Sequence, residues 1–253
     1  MIFAYQSDIG KIRKRNEDYV GVFQNKQEIQ FAVVADGLGG GHKGGDVASE
    51  MAVSHLGFRF EETTFSTLQE GARWLVEEVN RENTLILERA QQYEDLNGMG
   101  TTLVCALFFG TEFLLANIGG DSRGGYLLRK NELIQVTEDH SLVNELLKRG
   151  QISSEEAKHH PQKNIVTRTL GVSGNATLDE KVIELQSTDM LLLCTDGLTN
   201  MLEDAEIEKV LQSDAQLDEK CQLLIAQANK AGGSDNITLL LARAATHGEV
   251  KPR

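Results

Sequence analysis

The sequence predicts an α+β domain in which helices cover antiparallel sheets. Apolar runs of strand length alternate with amphipathic helical stretches along all 253 residues. Several runs are separated by only a few residues, as in FFGTEF and LLRKNEL, which permits hairpins and excludes βαβ crossovers there. No Ser/Gly-rich or low-complexity spacer divides the chain, and its two prolines are Pro161 and Pro252. It therefore reads as one domain, 1–245, with a polar tail, 246–253.

The elements follow in order. Strands are expected at Ile2–Ser7, Tyr19–Gln24 and Ile29–Ala35, each bounded by Gly, Asp, Asn or Ser. Helices are expected at Asp46–Leu56 and Leu68–Tyr93; the second keeps Leu68, Ala72, Leu75, Val76, Val79, Leu85 and Ile86 near helical period. Four strands come next, at Thr102–Phe109, Phe113–Ile118, Tyr126–Arg129 and Glu132–Val136. Helices at Ser141–Arg149 and Ser153–His159 precede strands at Lys181–Leu185 and Met190–Cys194. Helices at Ala205–Leu211 and Leu217–Lys230 and a strand at Ile237–Ala242 complete the chain.

Composition removes several function classes. With 40% hydrophobic and 25% charged residues the chain can bury a sizeable core, which excludes wholesale disorder. No stretch of about 18 uncharged apolar residues is present to insert into a membrane, and the start lacks a secretory layout. A formal net charge of −13 repels nucleic acid and anionic lipid. Cys105, Cys194 and Cys221 lie among apolar neighbours and read as buried free thiols in a reducing cytoplasm.

An acidic chain must solvate its carboxylates or use some of them to hold a cation. FAVVADGLGG sets Asp36 and Gly37 at the end of an apolar run, and LLLCTDGLTN repeats the design with Asp196 and Gly197. Asp235 opens the last strand, and Asp121 comes after the run FLLANI. A single Asp-Gly is ordinarily a turn. Four carboxylates at strand mouths form a different pattern, because gathered carboxylates repel unless a metal or a proton neutralises them. Hard oxygen ligands suit Mg²⁺ or Mn²⁺, and Gly37 leaves its carbonyl free to approach the same ion. Lys11, Arg13, Lys14 and Arg15 form a basic cluster directly before Glu17 and Asp18. Such a run is ordinarily a solvated turn; beside an acidic metal site an arginine can instead hold a phosphate bidentately.

The motifs IGKIRKRNED, VVADGLGGGHKGGDVAS, GMGTT, GGDSRGGY, TEDHSLVNELLKRGQIS, HPQKNIVTRTLG, LLLCTDGLTNML and GGSDNITL occur in that order. This series resembles the bacterial PP2C-type serine/threonine phosphatases of the metal-dependent protein phosphatase family, from about Ser7 to Leu241. The resemblance implies a four-layer α-β-β-α sandwich, two central antiparallel sheets flanked by helix pairs, with a flap over about 141–170. It implies two Mn²⁺ or Mg²⁺ ions: Asp36 bridging both, the Gly37 carbonyl on the second, Asp196 and Asp235 on the first, and Glu17 acting through a water. Asp18 and Asn236 would support this shell, Asp121 would help bind a third ion with Asp196 shared, and Arg13 would hold the phosphate. His42 is the candidate proton donor. Partners implied are phosphorylated proteins, substrates of a bacterial Ser/Thr kinase, and that kinase itself, with the phosphatase a cytoplasmic monomer.

The glycines depart from the family pattern. Leu38 stands where Met is usual, an extra glycine within Gly39–Gly41 displaces His42, and Asp121-Ser122-Arg123 gains a glycine on each side. A one-residue insertion inside a strand would flip the facing of every later residue in that strand unless a bulge absorbs it. A GxGxxG match at Gly39–Gly44, with Glu61 and Glu62 downstream, is a weak dinucleotide signal in a chain without alternating βα units. A cysteine phosphatase fails, because positions 111, 200 and 227, six after each Cys, are Thr, Asn and Gln. A catalytically weak phosphoprotein-binding module on the same fold is the alternative from another class.

Overall fold

The computed structural model describes residues 1–39, 44–120, 124–158, 160–162 and 165–245. Its strands in chain order are β1 (Ile2–Asp8), β2 (Asp18–Gln24), β3 (Gln30–Leu38), β4 (Gly100–Thr101), β5 (Leu103–Phe109), β6 (Glu112–Ile118), β7 (Gly125–Arg129), β8 (Glu132–Gln135), β9 (Asp179–Glu184), β10 (Met190–Cys194) and β11 (Ile237–Arg243). The α-helices are α1 (Gly45–Glu61), α2 (Leu68–Gln92), α3 (Leu142–Lys148), α4 (Ser154–Lys158), α5 (Asp196–Thr199), α6 (Asp204–Leu211) and α7 (Leu217–Ala231). One sheet runs β1-β11-β10-β7-β8 and the other β2-β3-β5-β6-β9, with β4 on β3. Every neighbouring pair is antiparallel.

The central strands read as unbroken apolar runs because both of their faces are covered. Along β3, Phe31, Val33 and Ala35 pack towards α1 and α2, while Ala32 and Val34 meet the other sheet. Along β10, Leu192 and Cys194 pack under α6 and α7, while Leu191 and Leu193 face the sheet interface. Burying each Leu or Val in this way contributes about 1.5–3 kcal/mol. These three apolar layers make the expected α-β-β-α sandwich. The edge strand β9 is largely exposed, and its sequence DEKVIE is correspondingly charged.

The elements read from sequence are present with end shifts of a few residues, the largest at the C-terminus of α1. The exceptions are short: β4, a 3₁₀ turn at Glu94–Leu96, and α5. Trp74 is packed against Phe31 and Phe60 at the junction of β3, α1 and α2, and all three cysteines are free and buried. No described helix is long and apolar enough to cross a membrane.

The added glycines before Asp121 do not break the sheet. β6 ends at Ile118, and Gly119 and Gly120 come next with φ of +79° and +89°, conformations open to glycine. β7 then restarts in register, with Tyr126 opposite both Gln135 and Leu192. The glycines before Asp121 lie in the connection, and of the two after Arg123, Gly125 opens β7 opposite Leu193.

Candidate active site

The first acidic corner is built into a strand. Asp18 and Asp36 are direct cross-strand partners on β2 and β3, and β3 continues past Asp36 to pair Gly37 with Thr101. The GMGTT segment holds the Asp36 backbone: its N–H donates to Thr102 Oγ1 (3.1 Å), and its carbonyl accepts from Thr102 N–H and Thr101 Oγ1 (both 2.9 Å). Gly37 N–H donates to the Glu17 carbonyl at 3.0 Å. A Cβ on Gly37 would lie 2.1 Å from the Gly45 carbonyl oxygen, so only glycine lets α1 begin directly behind this corner.

The second Asp-Gly is not a repeat of the first. Asp196 is the first residue of the four-residue helix α5, and its carboxylate accepts from Asn200 Nδ2 at 3.0 Å. A Cβ on Gly197 would sit 1.8 Å from the Asn236 carbonyl oxygen, so this glycine lets α5 lie against the start of β11. Thr195 ties the two sheets together: its N–H donates to the Thr238 carbonyl (2.9 Å) and its hydroxyl to Asp18 Oδ2 (2.8 Å).

Asp36 and Asp196 line one cleft between the sheet ends, together with Thr102, Asn117, Asp139 and Thr195. Asp235 stands at the start of β11, where its Oδ2 accepts from Arg13 Nη2 at 2.7 Å and its Oδ1 from the Asn236 N–H at 2.8 Å. Asn236 is buried and makes three bonds: it accepts from Glu17 N–H (2.8 Å) and donates to the carbonyls of Ile9 (2.9 Å) and Arg15 (2.8 Å). Arg13, Glu17, Asp18, Asp36, Gly37, Asp196, Asp235 and Asn236 thus meet around one region at the ends of β2, β3, β10 and β11. Among the described residues no three His, Cys, Asp or Glu side chains converge as a ready-made ligand set. Asp121 and His42 lie outside the described residues.

Negative charge here is under-compensated. Burial pushes the Asp18 carboxyl up to about 7, against the hydrogen bonds from Thr238 and Thr195 and aided by the charge of Asp235. Glu17 is also raised, first by burial and then by Asp46 and Asp235 against the opposing pull of Arg13. Arg13 is held above its ordinary value because Asp235 outweighs the cost of its burial.

Asp139 was not singled out from the sequence, although the motif TEDHS contains it. It lines the cleft opposite the two corners, accepts from Gln135 Nε2 at 2.8 Å and offers its carbonyl to Asn144 Nδ2 at 2.7 Å. The usable signal is a carboxylate that closes or follows an apolar run, as Asp36 and Asp196 do in the sequence. His140 beside it is buried. Its Nδ1 accepts from the Gly119 N–H (3.0 Å), while its Nε2 lies 3.0 Å from Asp179 Oδ2 and 3.2 Å from Arg168 Nη1.

The protein phosphatase 2C family profile matches residues 12–240. The chain belongs to the protein phosphatase 2C family. It is 51% identical over 238 residues to the serine/threonine phosphatase stp of Listeria welshimeri, covering 94% of this chain and 93% of that protein. The S. agalactiae serine/threonine phosphatase superposes with a TM-score of 0.92 at 42% identity, over 96% of this chain and 99% of that one. The catalytic domain of the phosphatase PstP, solved in complex with 2 manganese ions, superposes with a TM-score of 0.81 at 34% identity, over 97% and 98%. This PP2C chain is a serine/threonine protein phosphatase. Relatives named as phosphatases along nearly the full length do not favour the alternative of a binding module.

Proposed function

We propose that the cleft removes phosphate from phosphoserine and phosphothreonine in proteins with two divalent ions, Mn²⁺ or Mg²⁺. The observation that supports this is that Asp36 of one sheet and Asp196 at the end of the other line one cleft, while the charge of Asp235 acts on Glu17 and on buried Asp18, whose carboxyls are both pushed towards their neutral forms. The donors are all hard oxygens, with no imidazole or thiolate among them, which fits these ions. Asp36 and the Gly37 carbonyl would hold one ion, Asp36, Asp196 and Asp235 the other, and Glu17 would act through a water. Asp121 is the candidate for a third ion shared with Asp196, and His42 for the proton donor. When bound, the ion pair supplies an acidified water as nucleophile and neutralises the phosphoryl oxygens.

The chain's own residues do the remaining work. Arg13, which donates one N–H to Asp235, would offer its further N–H donors to the phosphoryl oxygens. Asn236 fixes the Glu17 backbone, and the Thr195 hydroxyl holds Asp18 in place between the sheets. The segment 141–170 is read as a flap. Its two ends are pinned beside the cleft by the Ser141–Val166 and Thr101–Leu170 bridges and by Thr167 N–H donating to the His140 carbonyl at 2.7 Å. A cytoplasmic monomer opposing a Ser/Thr kinase, and acting on that kinase, is the reading we attach to this site.

The test is phosphate release from a phosphothreonine peptide with Mn²⁺, with Mg²⁺ and with EDTA, alongside Asp36→Ala. Release with a divalent ion that disappears with EDTA and in the variant is expected. Release that persists in EDTA, or a variant with a normal rate, would remove the two-ion reading.

A further inference from the structure

Lys11, Arg13, Lys14 and Arg15 place four of the chain's 25 Lys and Arg residues within five positions, in a protein of formal net charge −13. All four are exposed. Their backbone forms a fixed arch. Asn236 ties its two feet together through the carbonyls of Ile9 and Arg15, and the Lys11 N–H donates to the Gly233 carbonyl at 2.7 Å. Gly10 makes the turn into the arch at φ +77°, where a Cβ would meet the Asp235 carbonyl oxygen at 2.1 Å. The arch is therefore part of the wall that carries Asp235.

Its cations divide into two kinds. Arg13 and Arg15 are engaged with carboxylates, Asp235 at 2.7 Å and Asp46 at 3.7 Å. Lys11 and Lys14 have no carboxylate within 4 Å among the described residues, and Ile12 beside them is 69% exposed. Two uncompensated ammonium groups thus flank the phosphate-holding arginine on a backbone that cannot easily move away.

We propose that this arch reads the protein substrate: it selects phosphosites with Asp or Glu a few residues away, and Ile12 gives the peptide an apolar contact. The inference rests on the cleft being the catalytic site. The acidic remainder of the protein repels such a peptide, so the arch supplies a local attractive field that steers it to the cleft. Rim charges of this kind act chiefly on encounter and are screened by salt.

The experiment compares kcat/KM for one phosphothreonine core flanked by Asp/Glu, by Asn/Gln or by Lys, for the full chain with Mn²⁺ and for K11E/K14E. The wild type is expected to favour the acidic over the basic flank about tenfold at roughly 0.05 M ionic strength, shrinking to about twofold at roughly 0.5 M. In K11E/K14E the low-salt ratio falls about tenfold or more, to one or below. Each ratio is taken within one protein, so a partly folded or partly loaded fraction cancels. A wild-type ratio near one, or a ratio that K11E/K14E leaves unchanged, overturns the proposal. No release from any peptide by the wild type would remove the cleft reading and the arch with it, an outcome distinct from normal rates with a flat ratio.

Discussion

Asp36 lies within a strand whose backbone is paired on both sides, whereas Asp196 begins a four-residue helix that rests on the start of another strand. Both are followed by glycine because other backbone passes directly behind them, the Gly45 carbonyl in one case and the Asn236 carbonyl in the other. The same two letters therefore solve one problem, close approach of two chain segments, in two local conformations. One corner is held by a ladder and the Thr101 and Thr102 hydroxyls. At the other, Asn200 donates to the Asp196 carboxylate and carbonyl, and the Thr195 N–H to the Thr238 carbonyl. The first should be stiff and the second adjustable.

The largest effect is expected where the corners act together. Asp36→Ala should lower turnover by more than about 10³-fold while the melting curve stays cooperative. Asp196→Ala should do the same, and a large rate difference between the two variants would show that one corner acts alone. The glycines come next. Gly197→Ala and Gly37→Ala should each destabilise by about 2–4 kcal/mol in denaturant titrations, because the displaced partner is backbone and cannot rotate aside. Gly197→Ala should be the better tolerated of the two if short α5 can shift as a unit. A smaller contrast separates the supports. Thr101→Val removes a buried donor from the Asp36 carbonyl and should cost about 1–2 kcal/mol. Asn200→Ala, at an exposed bond, should stay within about 0.5 kcal/mol. Equal costs would mean that the corners do not differ in stiffness.

Much of this was legible in the residues. β3, β5, β10 and β11 are apolar on both faces, so their runs stand out whatever the register. The helices α2 and α7 show their buried stripe at helical spacing. The features that could not be read are short or depend on tertiary contact. DGLT reads as a turn because four residues hold too little periodicity to mark a helix, and α5 exists because Gly197 docks on Asn236. β4 spans two residues. Asp139 was hidden because its role depends on the chain after β8 returning to the cleft. The glycines flanking Asp121 raised the prospect of a flipped strand, which the sequence alone could not exclude; positive-φ Gly119 and Gly120 keep the first of them in a connection.

The central claim is that two differently built corners complete one site for two ions. Equilibrium Mn²⁺ binding to the metal-free protein, compared with Asp36→Ala and Asp196→Ala, tests it most directly. We predict two tight sites in the wild type, with each variant losing affinity at both or retaining one. Unchanged stoichiometry and affinity in either variant would contradict the shared site.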